Sequence, residues 1–327
     1  MSTPDLSSID PLVHVGYHKT GTTWLQYHLF GIRDNGFQPL APSDVADPKK
    51  AAKYLSYLFF MSPDGTLLPP FESRSSEIRQ FLNTICPLDS GVPVVSSERL
   101  SGNPHSAGFD STLIAGRLAE VFPRARILIV IREQKAMLLS TYFQYLKIGG
   151  TLSLQGYLHK SYDGRLPFFS LSFLEYDRLI SYYQELFSPE RVLVLPYELF
   201  ADNPAQFVAK IARFAGANIP QDLPFDDTPN KGLPKIVEYY SRLLNLFAFS
   251  SSANGFSPLC IPGTRNRLRS LRRIIARLVP RSQQQRFNLK MRAYTDKAVG
   301  TSFAASNLRT SQLTGLPLRE WGYDVIA

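Results

Sequence analysis

The stretch Leu12-Val13-His14-Val15-Gly16-Tyr17-His18-Lys19-Thr20-Gly21-Thr22-Thr23-Trp24-Leu25 reads as a strand, a tight loop and the start of a helix. Leu12 to Gly16 is a short, mostly apolar run of the kind that forms a buried strand. Gly16 and Gly21 frame the loop, and glycine lets a backbone come close to an anion. Thr22 and Thr23 can cap a helix running from Thr22 to Ile32 and can also donate from their hydroxyls. In such a strand–loop–helix, the backbone N–H groups and the helix N-terminus bind a phosphate or a sulfate. Lys19 adds a point charge. The plain alternative is a capped turn with an incidental lysine, and it leaves the agreement of loop, cap, lysine and position unexplained.

Working outward, three more apolar runs read as strands: Val92 to Val95, Ile127 to Ile131, and Arg191 to Leu195. Helical stretches separate or follow them at Ser73–Cys86, Asp110–Phe122, Gln134–Lys147, Leu174–Phe187 and Pro204–Ala215. Alternating strands and helices imply an α/β fold with a central parallel sheet flanked by helices. From Leu233 onward only helices are predicted: Val237–Phe249, Asn266–Val279, Gln283–Val299 and Phe303–Leu313. Ser250 to Gly255 reads as a loop. The expected organisation is one domain over 1–327, with a nucleotide-binding core at about 12–216 and a helical C-terminal elaboration at about 233–327.

Composition narrows the class. Only Cys86 and Cys260 are present, which excludes a disulfide scaffold and a cysteine-rich zinc module and favours a reducing cytoplasm. No apolar run approaches the ~18 residues of a membrane span. Met1 to Pro11 lacks the basic and apolar regions of a secretory signal. The net charge of +9 points to an anionic ligand, glycan, nucleic acid or membrane surface and does not choose among them. No nucleic-acid module is recognisable, and no nucleic-acid partner is expected.

The Gly16-x4-Gly21 spacing matches a nucleotide P-loop, but a Walker A loop needs lysine where Thr22 stands. A kinase also needs acids for magnesium, and the Ile127–Ile131 run ends in Arg132. The segment Tyr17 to Gln26 instead resembles the 5′-phosphosulfate loop of sulfotransferases that use 3′-phosphoadenosine-5′-phosphosulfate (PAPS). Ile129 to Tyr142, with Arg132 and Ser140 eight residues apart, is similar to the 3′-phosphate motif of that family. Arg is a fork of donors suited to a phosphate. Arg191 to Gly216 and the tail from Phe303 to Tyr323 resemble the family more loosely, and Ala41–Phe81 and Asp222–Leu289 hardly at all. The resemblance implies PAPS as sulfuryl donor and no metal. It implies cofactor contacts from His18, Lys19, Thr20, Gly21, Thr22, Thr23 and Trp24, and from Arg132 and Ser140.

Transfer to a hydroxyl or amine needs a proton acceptor. Glu98 follows the Val92–Val95 run and falls at a strand's carboxyl end, where active sites of open sheets lie. Val94 to Leu100 resembles glycan sulfotransferases. That resemblance makes Glu98 the base, Lys19 its catalytic partner at the leaving oxygen, and Arg99 a nucleotide phosphate ligand. His18 and His105 are the competing bases, as in the small-molecule branch of the family. The acceptor is a glycan, a lipid or a small molecule. The rival functions are a P-loop kinase-like phosphotransferase and a non-catalytic basic protein that adheres to glycans or membranes.

Arg265 to Arg292 carries ten basic residues and no acid. Leu268, Leu271, Ile274, Ile275 and Leu278 fall at helical spacing among them. The favoured expectation is a helix packed through that stripe with its basic face in water. The alternative is contact with an anionic glycan or the inner face of a membrane.

Overall fold

The computed structural model describes residues 9–32, 35–42, 44–61, 75–85, 91–159, 169–218, 220, 222–227, 232–248 and 264–326. The expected loop at Ser250–Gly255 lies outside them, as do Ser73, Arg74 and Cys86 at the ends of one predicted helix.

Five parallel strands form one sheet: β1 (Leu12–Gly16), β2 (Phe37–Pro39), β3 (Val92–Ser97), β4 (Arg126–Ile131) and β5 (Val192–Pro196). Their order is β2-β3-β1-β4-β5. Four of these were legible as apolar runs. The fifth, β2, has three residues and ends in a proline, which a sheet tolerates at an edge. It pairs only with β3.

Side chains alternate across the sheet. Val13, Val15, Val95, Ile127 and Ile129 enter one core, and Leu12, Val94, Leu128 and Val130 the other. Both faces are covered, which is why the strands are continuously apolar. The helices, in chain order, are α1 (Thr22–Leu25), α2 (Pro48–Lys53), α3 (Ser56–Met61), α4 (Ser75–Ile85), α5 (Ser111–Val121), α6 (Gln134–Lys147), α7 (Leu154–His159), α8 (Tyr176–Phe187), α9 (Tyr197–Asp202) and α10 (Pro204–Ala215). α1 runs on as a π-turn over Gln26–Phe30. The C-terminal part adds α11 (Lys235–Ala248), α12 (Thr264–Leu278), α13 (Arg281–Val299) and α14 (Ala304–Thr314).

The C-terminal helices are tied to the core by buried polar bonds. Gln134 of α6 donates to Asn307 of α14 at 2.5 Å, and Asn307 donates on to the Asp324 carbonyl at 2.8 Å. Asp177 of α8 accepts from Ser306 and from Arg309. Among the described residues, no helix is long and apolar enough to cross a membrane.

Candidate active site

Strand register gathers the site. Val15 lies opposite Ser97, Gly16 opposite Val130, and Ile131 opposite Pro196. Four strands therefore end along one edge, and Tyr17, Glu98, Arg132 and Tyr197 leave the sheet together. β1 is the strand at which the order reverses, since β3 leads to one edge and β4 to the other. Ligands of open parallel sheets bind in that crevice.

The loop after β1 is held at both ends. The Tyr17 N–H donates to the Val130 carbonyl at 3.3 Å, and the Thr20 hydroxyl donates to the Tyr17 carbonyl at 2.5 Å. Lys19 has φ 68° and Gly21 φ 82°. A left-handed lysine costs roughly 1–2 kcal/mol, and its surroundings must hold it there. Gly21 caps α1 without a side-chain hydrogen bond, leaving the first-turn N–H groups to another partner. A Cβ at Gly16 would stand 2.7 Å from Thr22 Oγ1 and 2.9 Å from His14 Nε2, so only glycine fits.

Among the described residues, Thr22 Oγ1 and His18 Nδ1 are buried without a hydrogen-bond partner. Buried polar atoms are rarely left so. One in the glycine-framed loop and one on the first residue of α1 fit a ligand rich in anionic oxygens, as the 5′ end of PAPS is.

His18, Lys19, Gly21, Thr22, Thr23, Trp24, Glu98 and Arg132 all line one cleft of about 500 Å³. Trp24 stacks on Phe225 at 5.4 Å and 15° and tilts against Phe200 at 5.1 Å. Its indole N–H donates to the Pro224 carbonyl at 3.2 Å. Lys49, Gln144, Tyr197 and Asp227 complete the wall and were not anticipated from sequence. Tyr197 was within reach of the reasoning that found Glu98, because it too follows a strand directly.

Arg132 joins this cleft to a second. Its Nη1 donates to the Lys19 carbonyl at 3.0 Å and to Ser140 Oγ at 3.4 Å. Its guanidinium lies over the Tyr197 ring at 4.8 Å. The second cleft, about 430 Å³, is lined by Arg132, Lys135, Ser140, Lys235 and Arg292, with Glu133 and Asp296. Burial, and then Arg292 and Arg132, push the Lys235 pKa down. A bound anion would relieve that crowding of like charge. Lys235 and Arg292 sit on α11 and α13, far from the nucleotide motifs in sequence.

Glu98 opens a tight helical turn over Glu98–Ser101, capped by Ser97, whose oxygen accepts from the Arg99 N–H at 3.2 Å. Three sequence candidates stand apart from both clefts. Arg99 is paired with Asp110, which also accepts from the Asn103 N–H at 3.0 Å. Thr20 is fully buried, with its hydroxyl engaged by the Tyr17 carbonyl. His105 faces the Tyr157 hydroxyl at 3.1 Å. Partial desolvation depresses the Lys19 pKa, helped by Lys147 and opposed by Glu98 and Glu238. Glu238, buried on α11, pairs with Lys147 at 3.1 Å, and burial raises its pKa.

Three buried histidines, His14, His18 and His105, are neutral in the fold. Burial lowers His14 to about 3 and His18 and His105 to about 4. His14 Nδ1 lies 2.7 Å from Ser96 Oγ. Since unfolded histidine titrates near 6.5, the unfolded chain binds more protons between about pH 6.5 and 4. Stability therefore falls with acid in that window, by up to roughly 4 kcal/mol per pH unit if all three sites contribute. The melting temperature is expected to drop steeply from pH 6.5 to 4.5, and His14→Gln is expected to flatten that drop. A melting temperature constant between pH 7 and 5 contradicts this.

Compared with known proteins, residues 10–241 match the family model described as "Sulfotransferase domain". Solved structures similar to this one include a sulfotransferase from Alicyclobacillus acidocaldarius, at 18% identity over 73% of this chain and 94% of that chain, TM-score 0.45. The sulfotransferase domain of the Synechococcus PCC 7002 olefin synthase is similar at 12% identity over 76% and 98%, TM-score 0.37. Mouse sulfotransferase SULT7A1 complexed with PAP is similar at 15% identity over 77% and 73%, TM-score 0.34. No curated protein matched the sequence. The family match, and not these distant likenesses, carries the assignment.

Proposed function

The chain belongs to the sulfotransferase domain family, and from that premise we propose that it moves a sulfuryl group from PAPS to a hydroxyl or amine of a glycan, lipid or small molecule. The observation that carries this reading is Arg132, which lines two anion-suited clefts at once. A ligand with a phosphosulfate at one end and a separate phosphate at the other needs both clefts. A nucleoside triphosphate needs only one.

PAPS supplies the activated sulfuryl group. The chain's own residues bind and orient. Lys19, the Thr22 and Thr23 hydroxyls and the α1 N-terminus hold the phosphosulfate end. Arg132, Ser140, Lys235 and Arg292 hold the 3′-phosphate. The aromatic wall of Trp24, Phe200 and Phe225 gives flat faces for a purine. Glu98 takes the acceptor's proton. Positive field at the reacting end comes from Lys19 and the loop amides, with no metal in the scheme. Arg99, held by Asp110, positions the Glu98 turn in this reading. The 1–327 chain acts as one unit, because α11 and α13 supply Lys235 and Arg292 to the second cleft.

Ligand-shifted melting tests this. 3′,5′-ADP without magnesium is expected to raise the melting temperature, and ATP with magnesium to do no better. Arg132→Ala and Lys235→Ala should weaken 3′,5′-ADP more than tenfold, as roughly 1.5–3 kcal/mol for a charged hydrogen bond implies. The same variants should leave adenosine 5′-phosphosulfate, which lacks the 3′-phosphate, much less affected. Equal weakening of both ligands refutes the 3′-phosphate assignment. Stronger protection by ATP with magnesium favours the kinase reading. Labelled PAPS incubated with a cell extract should then give labelled acceptor.

A further inference from the structure

The apolar stripe that the sequence suggested as the packed side of α12 faces outward in part. Leu271, Ile274 and Leu278 are 43%, 56% and 76% exposed. α11 is built the same way round. It buries Glu238, Ser241 and Asn245 beside Val237, and exposes Tyr240, Leu243 and Phe247. An apolar groove of about 200 Å³, lined in part by Ile236, Leu244, Ile275 and Val279, runs between the two helices and joins the two rows. Exposed apolar patches of this kind mark a binding surface.

Charge narrows the occupant. Arg273, Arg277, Arg281 and Arg286 are exposed on and just after α12, within the stretch from Arg265 to Arg292 that holds no acid. A second copy of the chain would set these arginines against one another. A glycan would satisfy the arginines and leave the leucine, isoleucine and phenylalanine side chains in water. An anionic bilayer satisfies both, with apolar side chains in the acyl boundary and arginines at the headgroup phosphates.

We propose that the α11–α12 pair docks the protein on an anionic phospholipid surface. Hydrogen bonds join the pair to the rest of the fold. Arg272 donates to Asn245 at 2.7 Å, and Asn245 donates to the Leu146 and Gly150 carbonyls at 2.9 and 2.8 Å, next to the Lys147–Glu238 pair. Docking would hold the clefts beside the lipid surface. This inference stands whether or not the sulfuryl-transfer reading holds, because its test reads binding and not turnover.

The full chain is sedimented with phosphatidylcholine vesicles and with mixed phosphatidylcholine–phosphatidylglycerol vesicles. It is expected to co-sediment with the mixed vesicles only, and less at high salt. Two double variants separate the forces. Arg273→Glu with Arg277→Glu should lower partitioning tenfold or more. Ile274→Ser with Leu278→Ser keeps every charge and should lower it roughly tenfold. Unchanged melting curves for both variants show that the fold is intact. The proposal is overturned if the serine variant partitions like the wild type, or if both vesicle types bind equally. It is overturned too if heparin binds the protein where neither vesicle does, or if the wild type dimerises through this face.

Discussion

Glu98→Gln is expected to lower kcat by about 10²–10⁴-fold on an alcohol acceptor, the usual share of a positioned general base. Glutamine keeps the size and removes the proton acceptor. The turn that carries Glu98 does not depend on its carboxylate. Ser97 caps it, and Ser101 donates to the Glu98 carbonyl at 2.9 Å. Binding of 3′,5′-ADP should therefore change little, and the loss should fall on kcat. His18 is the competing base, and its geometry gives it a claim. It lines the same cleft, and burial holds it neutral, with a pKa of about 4. His105 is equally neutral but stands outside the cleft, against Tyr157. If Glu98→Gln keeps near-normal turnover while His18→Ala is inactive, the base is His18 and the glycan-type analogy fails. If both survive, the base assignment fails altogether, and the buried carboxylate of Glu238 is the next group to test.

The strands and the first cleft were legible because they depend on local sequence. β1, β3, β4 and β5 each hold a short, mostly apolar run, Glu98 and Arg132 directly follow two of these strands, and Lys19 lies in the loop after a third. β2 was not legible, because three residues ending in Pro39 give no pattern, and only pairing with β3 makes them a strand. The second cleft was half legible. Arg132 and Ser140 lie in one motif, but Lys235 and Arg292 come from helices that folding alone brings across. Arg99 shows the opposite case. Its neighbour in sequence reaches the cleft, while its own side chain turns to Asp110, and a turn of four residues is enough to separate them. The amphipathic pattern of α12 predicted a stripe but not its direction. Direction depends on the partner, and α11 turns Glu238, Ser241 and Asn245 inward beside Val237 and leaves Tyr240, Leu243 and Phe247 outside.

Lys19→Ala is expected to reduce kcat by roughly 10²–10³-fold or more, the cost seen when one preorganised charge or donor is removed from a developing anion. The backbone of Lys19 complicates the experiment and also supplies its control. Its φ of 68° is left-handed, and alanine bears the same steric penalty there as lysine. The fold should thus be no more strained in the alanine variant than in the wild type. Lys19→Gly removes the charge and the strain together, so it should match or exceed the wild type in melting temperature while being as inactive as Lys19→Ala. The Arg132 contact to the Lys19 carbonyl, at 3.0 Å, uses the backbone and survives both changes. Loss of activity in both variants, with the fold intact in each, locates the function in the ammonium. Recovery of activity in Lys19→Gly alone would show instead that loop conformation, and not charge, limits turnover. The Lys19 side chain is exposed to the open cleft, yet partial desolvation lowers its pKa, with Lys147 adding to the effect and Glu98 and Glu238 opposing it. A ligand that fills the cleft displaces the water around this ammonium and sets it against an anion, which is the condition under which a single charge contributes several kcal/mol to a transition state.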